Sequence, residues 1–188
     1  MPTDTIICAD GGANAAFLAK IKPDVVIGDN DSLDTKTEEL IRKNKIQKIT
    51  FPRDKDQTDS ELALNFALKR GFANILLVGF TGDRFDHVLA LLLYVASYTK
   101  KAEITFVSQT QNIYLLKKTY VNLLGKKGDY VSLLPLEKNV KVTTSGLKYG
   151  LKNERLQFAK TIGVSNELSG EKARVKADGK LLVIQTIS

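Results

Sequence analysis

A single cysteine among 188 residues rules out an internal disulfide, and Cys8 lies within the apolar run Ile6-Ile7-Cys8-Ala9, where it reads as a small buried hydrophobe. No apolar run approaches the roughly 20 residues of a membrane span. The longest, Val88 to Ala96, has the length of a core helix, so no membrane partner is expected. The opening Met1-Pro2-Thr3-Asp4 carries no basic segment of a secretory signal, and a reducing cytoplasm is the expected setting. A Gly-x4-Gly-Lys-Ser/Thr loop is missing, which excludes an ordinary P-loop enzyme. No Ser-His-Asp or Cys-His arrangement is present. The lone His87 opens a helical segment, where capping or packing competes with a site role.

The net charge of +7 is unevenly distributed. Residues 1–116 hold 14 Lys/Arg against 15 Asp/Glu, whereas residues 117–188 hold 14 against 6. The excess therefore belongs to the C-terminal part. It carries no aromatic platform, helix-turn-helix or RNA-recognition signature, so it reads as a solvated basic face and no nucleic-acid partner is expected. With 43% hydrophobic residues the chain can build a substantial core.

Along the first 116 residues strands alternate with helices. Strands are expected at Thr5–Ala9, Val25–Ile27, Lys48–Phe51, Ile75–Val78 and Ile104–Val107, with Tyr114–Leu116 as a further candidate. Helices are expected at Ala13–Lys20, at Thr37–Lys45, after Thr58 and at Val88–Tyr98. Thr58 with Glu61 matches a capping box. This alternation argues for a mostly parallel, Rossmann-like three-layer α/β domain. From residue 117 the pattern changes to short β runs: Val121 onward, Tyr130–Leu134, Val140–Thr144, Lys160–Val164, Ala173–Ala177 and Leu181–Ile187. Asp178-Gly179 reads as a hairpin turn. The expected organisation is thus an α/β domain over 1–116 and a small antiparallel β-sandwich over 117–188.

In a parallel sheet the ligand crevice lies beyond the carboxyl ends of the strands. Four loops take that position and bring Asp10, Asp29, Asp31, Asp54, Asp56, Asp59, Asp83 and Asp86 toward one edge. Carboxylates this close repel one another, and a divalent cation relieves them. Gly11-Gly12 lets backbone N–H groups approach an anion, and Gly79 and Gly82 offer the same. Arg84 is placed to meet phosphate oxygens or to pair with Asp83 or Asp86. Together these features describe a phosphate-plus-metal site.

At this point the motifs carry a resemblance. Ala9-Asp10-Gly11-Gly12-Ala13-Asn14, Gly28-Asp29-Asn30-Asp31-Ser32, Asp54-Lys55-Asp56-Gln57-Thr58-Asp59 and Gly82-Asp83-Arg84-Phe85-Asp86-His87 follow the order of the thiamine pyrophosphokinase family. Thr144-Ser145-Gly146-Leu147-Lys148-Tyr149-Gly150-Leu151 and Gly163-Val164-Ser165-Asn166-Glu167 look like its thiamine-binding segments. The resemblance implies transfer of the pyrophosphoryl group of ATP to the hydroxyl of thiamine, giving thiamine diphosphate and AMP. It implies a homodimer with the active site at the subunit interface. Asp29, Asp31 and Asp56 would hold Mg2+, and Asp54 or Asp59 would accept the hydroxyl proton or complete the metal shell. Asp10, Gly11, Gly12, Asn14, Thr81, Gly82, Arg84, Asp86 and His87 would bind ATP. Tyr149 would stack on thiamine, and Ser145, Ser165 and Asn166 would supply polar contacts.

Three positions depart from the family pattern. Few residues precede Asp10, so the family's first strand and Gly-rich loop are expected to be missing. Asn30 stands where an aromatic is usual, and Leu91 where Asn is common. Two other functions remain open on the residues: another Mg2+-dependent phosphotransferase or phosphohydrolase, and a non-catalytic nucleotide- or thiamine-binding module.

Overall fold

A computed structural model describes residues 4–82, 84–98 and 102–187, and Asp83 lies outside the described residues. The chain is a mixed α/β protein that divides into two compact units, 1–73 and 74–188.

The first unit contains β1 (Ile7–Ala9), α1 (Gly12–Leu18), β2 (Val25–Gly28), α2 (Thr35–Lys43), β3 (Gln47–Thr50) and α3 (Asp59–Lys69). Its three strands pair in parallel in the order β1-β2-β3. Every residue of β2 is buried, as expected of a central parallel strand covered on both faces. Side chains alternate across it. Val26 packs with Cys8, Ala13 and Ile41 on the side of α1 and α2, whereas Val25 and Ile27 pack with Leu62 of α3. The helix starts are capped from the sequence: Asp34 accepts from Thr37 N at 2.6 Å, and Thr58 Oγ1 accepts from Glu61 N at 3.2 Å. Only half of the expected capping box forms, because Glu61 Oε1 accepts from Gln57 Nε2 instead of reaching back to Thr58. Parallel pairing sends the carboxyl ends of all three strands to one edge, where Asp10, Asp29 and the loop 51–58 follow.

The second unit contains β4 (Asn74–Val78), α4 (Phe85–Ser97), β5 (Glu103–Val107), β6 (Gln111–Lys117), β7 (Tyr120–Leu124), β8 (Tyr130–Pro135), β9 (Asn139–Ser145), β10 (Glu154–Gln157), β11 (Asn166–Glu167), β12 (Lys172–Ala177) and β13 (Lys180–Thr186). One six-stranded sheet runs β11-β8-β13-β6-β5-β4, and a four-stranded sheet runs β10-β9-β12-β7. Among the described residues only β4 and β5 pair in parallel within them, with α4 between them in the chain. A shared apolar cluster unites the two sheets, with Leu116, Val131, Leu133, Leu181 and Val183 from one and Leu123, Val140, Val142, Leu156 and Val175 from the other. Lys117 Nζ meets the last turn of α4, donating to Val95 O at 3.2 Å and to Tyr98 O, a favourable place for a cation.

Two local expectations are corrected. Lys160–Val164 forms turns, not a strand, because Gly163 O takes Leu133 N at 2.8 Å at a position too close to Leu133 for any side chain. Asp178-Gly179 does not close a hairpin: β12 and β13 belong to different sheets. Asp178 instead pairs with Lys141, donating its N–H to Lys141 O at 3.1 Å and accepting Lys141 N at 2.7 Å. Among the described residues no helix is long and apolar enough to cross a membrane.

Candidate active site

The edge of the first unit is built on tight backbone. Asp10 follows β1 with φ +38°, donates its N–H to Ile27 O at 2.8 Å and is buried. Gly28 ends β2 with φ +156°, and a Cβ there would lie 2.9 Å from Asp10 Cβ and 3.1 Å from Asp59 Cγ. Only glycine lets β2 end between these two carboxylates. Asn30 adopts φ +68°, a left-handed conformation that Asn tolerates better than bulkier residues. Its amide reaches Thr50 Oγ1 at 3.2 Å. The residue that departs from the family pattern thus makes the turn and ties it to the neighbouring strand.

Asp10, Asp29 and Asp59 each offer a carboxylate oxygen, and these lie within 4.8 Å of one another. Asp10 Oδ1 is buried without a hydrogen-bond partner. A hard divalent cation takes such oxygens, so the residues present fit one. Lys55 stands among them, its Nζ 3.1 Å from Asp29 Oδ2 and 3.2 Å from Asp59 Oδ1, with a largely buried side chain. The hydrogen bond from Lys55 holds the Asp29 carboxyl below its ordinary value, helped by Asp31 N–H. Burial pushes Asp59 up, and the Asp29 and Asp10 charges add to this, outweighing the pull of Lys55. Burial opposes the Lys55 ammonium, but its hydrogen bonds to Asp29 and Asp59 prevail and its pKa is raised.

Of the expected metal set, Asp29 belongs to this trio. Asp31 stands at the rim, its N–H on Asp29 Oδ1 at 3.2 Å and its carboxylate 3.4 Å from the exposed Arg53. Asp54 and Asp56 are exposed on the loop before α3. Asn14 braces two segments, donating to Ser32 O at 2.8 Å and accepting Asp34 N at 3.3 Å. Gly11 passes against Ser32, while Gly12 faces open space. Lys55 was missed as a member of the cluster. The signal available was its place between Asp54 and Asp56, close in sequence to Asp59.

In the second unit, Thr81 and Gly82 are exposed ahead of α4. Arg84 grips Asp86 with two hydrogen bonds, Nε to Oδ1 at 2.9 Å and Nη2 to Oδ2 at 2.7 Å. This bidentate pair lowers Asp86 to about 2. His87 is exposed and donates its backbone N–H to Arg84 O, and Leu91 is buried one turn on.

Tyr149 is 61% exposed and is not a core residue. Its backbone is clamped by the buried Asn166, whose Oδ1 accepts Tyr149 N at 3.0 Å while its Nδ2 donates to Tyr149 O at 2.7 Å. The ring is thereby presented to solvent from a fixed point. Lys148 Nζ lies 5.5 Å from the ring centroid and 3.0 Å from both Glu167 oxygens. Ser145 ends β9 and is exposed; Ser165 adopts φ +61° and donates its N–H to Ser132 Oγ at 3.2 Å. Two surface grooves in this unit, one lined by Leu136 and Phe158 and one by Tyr98 and Lys117, contain none of these residues.

The chain matches two family models: "Thiamin pyrophosphokinase, catalytic domain" over residues 2–107 and "Thiamin pyrophosphokinase, vitamin B1 binding domain" over residues 116–182. It is 30% identical to thiamine pyrophosphokinase 1 of Arabidopsis thaliana, across 94% of this chain and 75% of that protein. It is 29% identical to thiamine pyrophosphokinase of Bacillus subtilis, across 96% of this chain and 86% of that one. The crystal structure of thiamine pyrophosphokinase from Bacillus subtilis superposes with a TM-score of 0.88 at 26% identity, covering 99% of this chain and 90% of that chain.

Proposed function

The chain belongs to the thiamin pyrophosphokinase family, and on that premise we propose how its residues transfer the pyrophosphoryl group of ATP to the hydroxyl of thiamine, releasing AMP and thiamine diphosphate. The observation that carries the reading is the trio Asp10, Asp29 and Asp59, with a buried oxygen of Asp10 lacking any hydrogen-bond partner. Mg2+ is the cofactor. Asp10, Asp29 and Asp59 would hold it, with Asp31 at the rim and Asp56 on the loop before α3 as further carboxylates for it. When bound, the cation neutralises the phosphate charge and orients the transferred group.

Gly11, Gly12, Asn14, Thr81, Gly82, Arg84, Asp86 and His87 serve ATP. Asp54, exposed ahead of α3, accepts the proton of the thiamine hydroxyl as it attacks. An alcohol is a weak nucleophile, so alignment of the hydroxyl with the phosphorus supplies much of the rate. Tyr149 offers its exposed face to the cationic thiazolium, an attraction of cation–π type. Ser145, Ser165 and Asn166 add polar contacts, Asn166 chiefly by fixing Tyr149. Functionally the division falls at 1–116 for ATP and Mg2+ and 117–188 for thiamine, as a Rossmann-like domain followed by a β-sandwich. The protein works in the cytoplasm as a homodimer with its active site at the subunit interface.

The test is product analysis. Incubation with ATP, Mg2+ and thiamine yields AMP and thiamine diphosphate in equal amounts. ADP or free phosphate would instead indicate a different phosphoryl-transfer enzyme, and saturable thiamine binding without turnover a binding module.

A further inference from the structure

We propose that Lys55 is a built-in counter-ion of the acidic trio, displaced from Asp29 and Asp59 by the incoming divalent cation and thereby released toward the phosphate chain of ATP. This rests on the reading of the trio as the cation site. Three carboxylates converge here, and Lys55 is the ammonium within ion-pair distance of two of them. It neutralises only part of their charge, and Asp10 Oδ1 is left buried and unpartnered. Without Lys55, folding would bring three uncompensated carboxylates together. With Lys55 fixed in place, a cation would meet occupied oxygens, because Asp29 Oδ2 and Asp59 Oδ1 are the atoms the ammonium holds.

Both demands are met if the ammonium leaves as the cation arrives. A doubly charged ion compensates three carboxylates better than a single charge, so exchange is favourable once the cation has shed water. Lysine suits the part: its point charge rides on a flexible four-carbon stem, with no planar fork to lock it to one carboxylate. The loop 51–58 that carries Lys55 holds no regular secondary structure, so the side chain can swing without moving α3 or β3. An ammonium leaving carboxylates needs a new anion, and the phosphates that accompany the cation provide one. Lys55 is thus a positioning residue that prepares the trio and then hands its charge to the substrate.

Calorimetric titration of Mg2+ alone, and then of a non-hydrolysable ATP analogue at saturating Mg2+, tests this. Lys55→Met should bind Mg2+ about tenfold more tightly, because no ammonium need be displaced, yet bind the analogue about tenfold more weakly. Lys55→Arg, which keeps the charge but can lock onto a carboxylate through its planar fork, should bind Mg2+ no more tightly than the wild type. Lys43→Met, the same charge change on α2, should alter neither affinity. A merely structural ion pair would not move the two affinities in opposite directions. Unchanged or weaker Mg2+ binding by Lys55→Met, or unchanged analogue binding, overturns the proposal. Should Lys55→Met fail to fold, the wild type decides: its Lys55 ammonium resonance shifts on adding Mg2+, and a resonance that stays put overturns the exchange. A wild type that makes AMP and thiamine diphosphate while Lys55→Met keeps its Mg2+ affinity defeats the role of Lys55 alone. A wild type that binds no Mg2+ defeats the cation site with it.

Discussion

Asp10 occupies the least supported position in the cluster. Lys55 hydrogen-bonds Asp29 and forms an ion pair with Asp59 Oδ1 at 3.2 Å, whereas the buried Asp10 Oδ1 has no hydrogen-bond partner and Lys55 does not pair with it. Burying an uncompensated polar group beside like charges costs stability. Asp10→Asn should therefore stabilise the metal-free protein by about 1 kcal/mol in denaturant titration while lowering turnover sharply, the trade expected of a functional strain point. A destabilised Asp10→Asn would mean that the carboxylate has a supporting role in the fold. Cys8 illustrates burial without function. Its thiol is pushed up to about 11 from an ordinary 9.0 by burial, so between these values the unfolded chain ionises first. Stability contributed by the buried thiol is thus fully present below pH 9 and declines toward pH 11. A Cys8→Ala variant should show a shallower loss of stability across that window, and parallel curves for the two proteins would refute the assignment.

At the scale of elements, α3 links stability to chemistry. Its first residue is Asp59, and the preceding Thr58 caps the helix by accepting Glu61 N at 3.2 Å. Removing that cap should cost about 1 kcal/mol and loosen the first turn. Thr58→Ala should accordingly lower the thermal midpoint and weaken Mg2+ binding together, whereas an effect on the midpoint alone would show that Asp59 is held by other contacts. This helix was legible in the sequence because its cap, apolar spacing and Gly71 stop agree. The parallel strands were legible because Val25-Val26-Ile27 and Ile75–Val78 are compact aliphatic runs between helical segments. The corner at Asp178-Gly179 was not. Turn residues specify a reversal of the chain, but not whether the next strand pairs with the last or passes to another sheet. Lys55 was equally obscure, since a lysine among aspartates reads as a solvated charge until packing buries it. Asn30 became intelligible only from its left-handed backbone.

Across the whole molecule the charge is divided as the compact units are. Residues 1–73 hold 11 Lys/Arg and 12 Asp/Glu, and residues 74–188 hold 17 and 9. The basic unit carries Tyr149, proposed to stack on thiamine, which is itself a cation. A positive environment should repel such a ligand, and the local arrangement around the ring answers this. Lys148, 5.5 Å from the Tyr149 ring, is paired through both oxygens of Glu167, and that pairing raises its pKa. Glu167 therefore supplies the negative charge that lets a second cation approach the same aromatic group. Replacing it by Gln would leave the Lys148 ammonium unneutralised beside the ring. Glu167→Gln should raise the KM for thiamine by about twofold to threefold, a modest loss because solvent screens repulsion at an exposed site. The KM for ATP should not change. Adding Lys148→Met to Glu167→Gln should restore thiamine binding, because the competing charge has then gone. If the double variant stayed as weak as the single one, Glu167 would act on thiamine directly rather than by restraining Lys148.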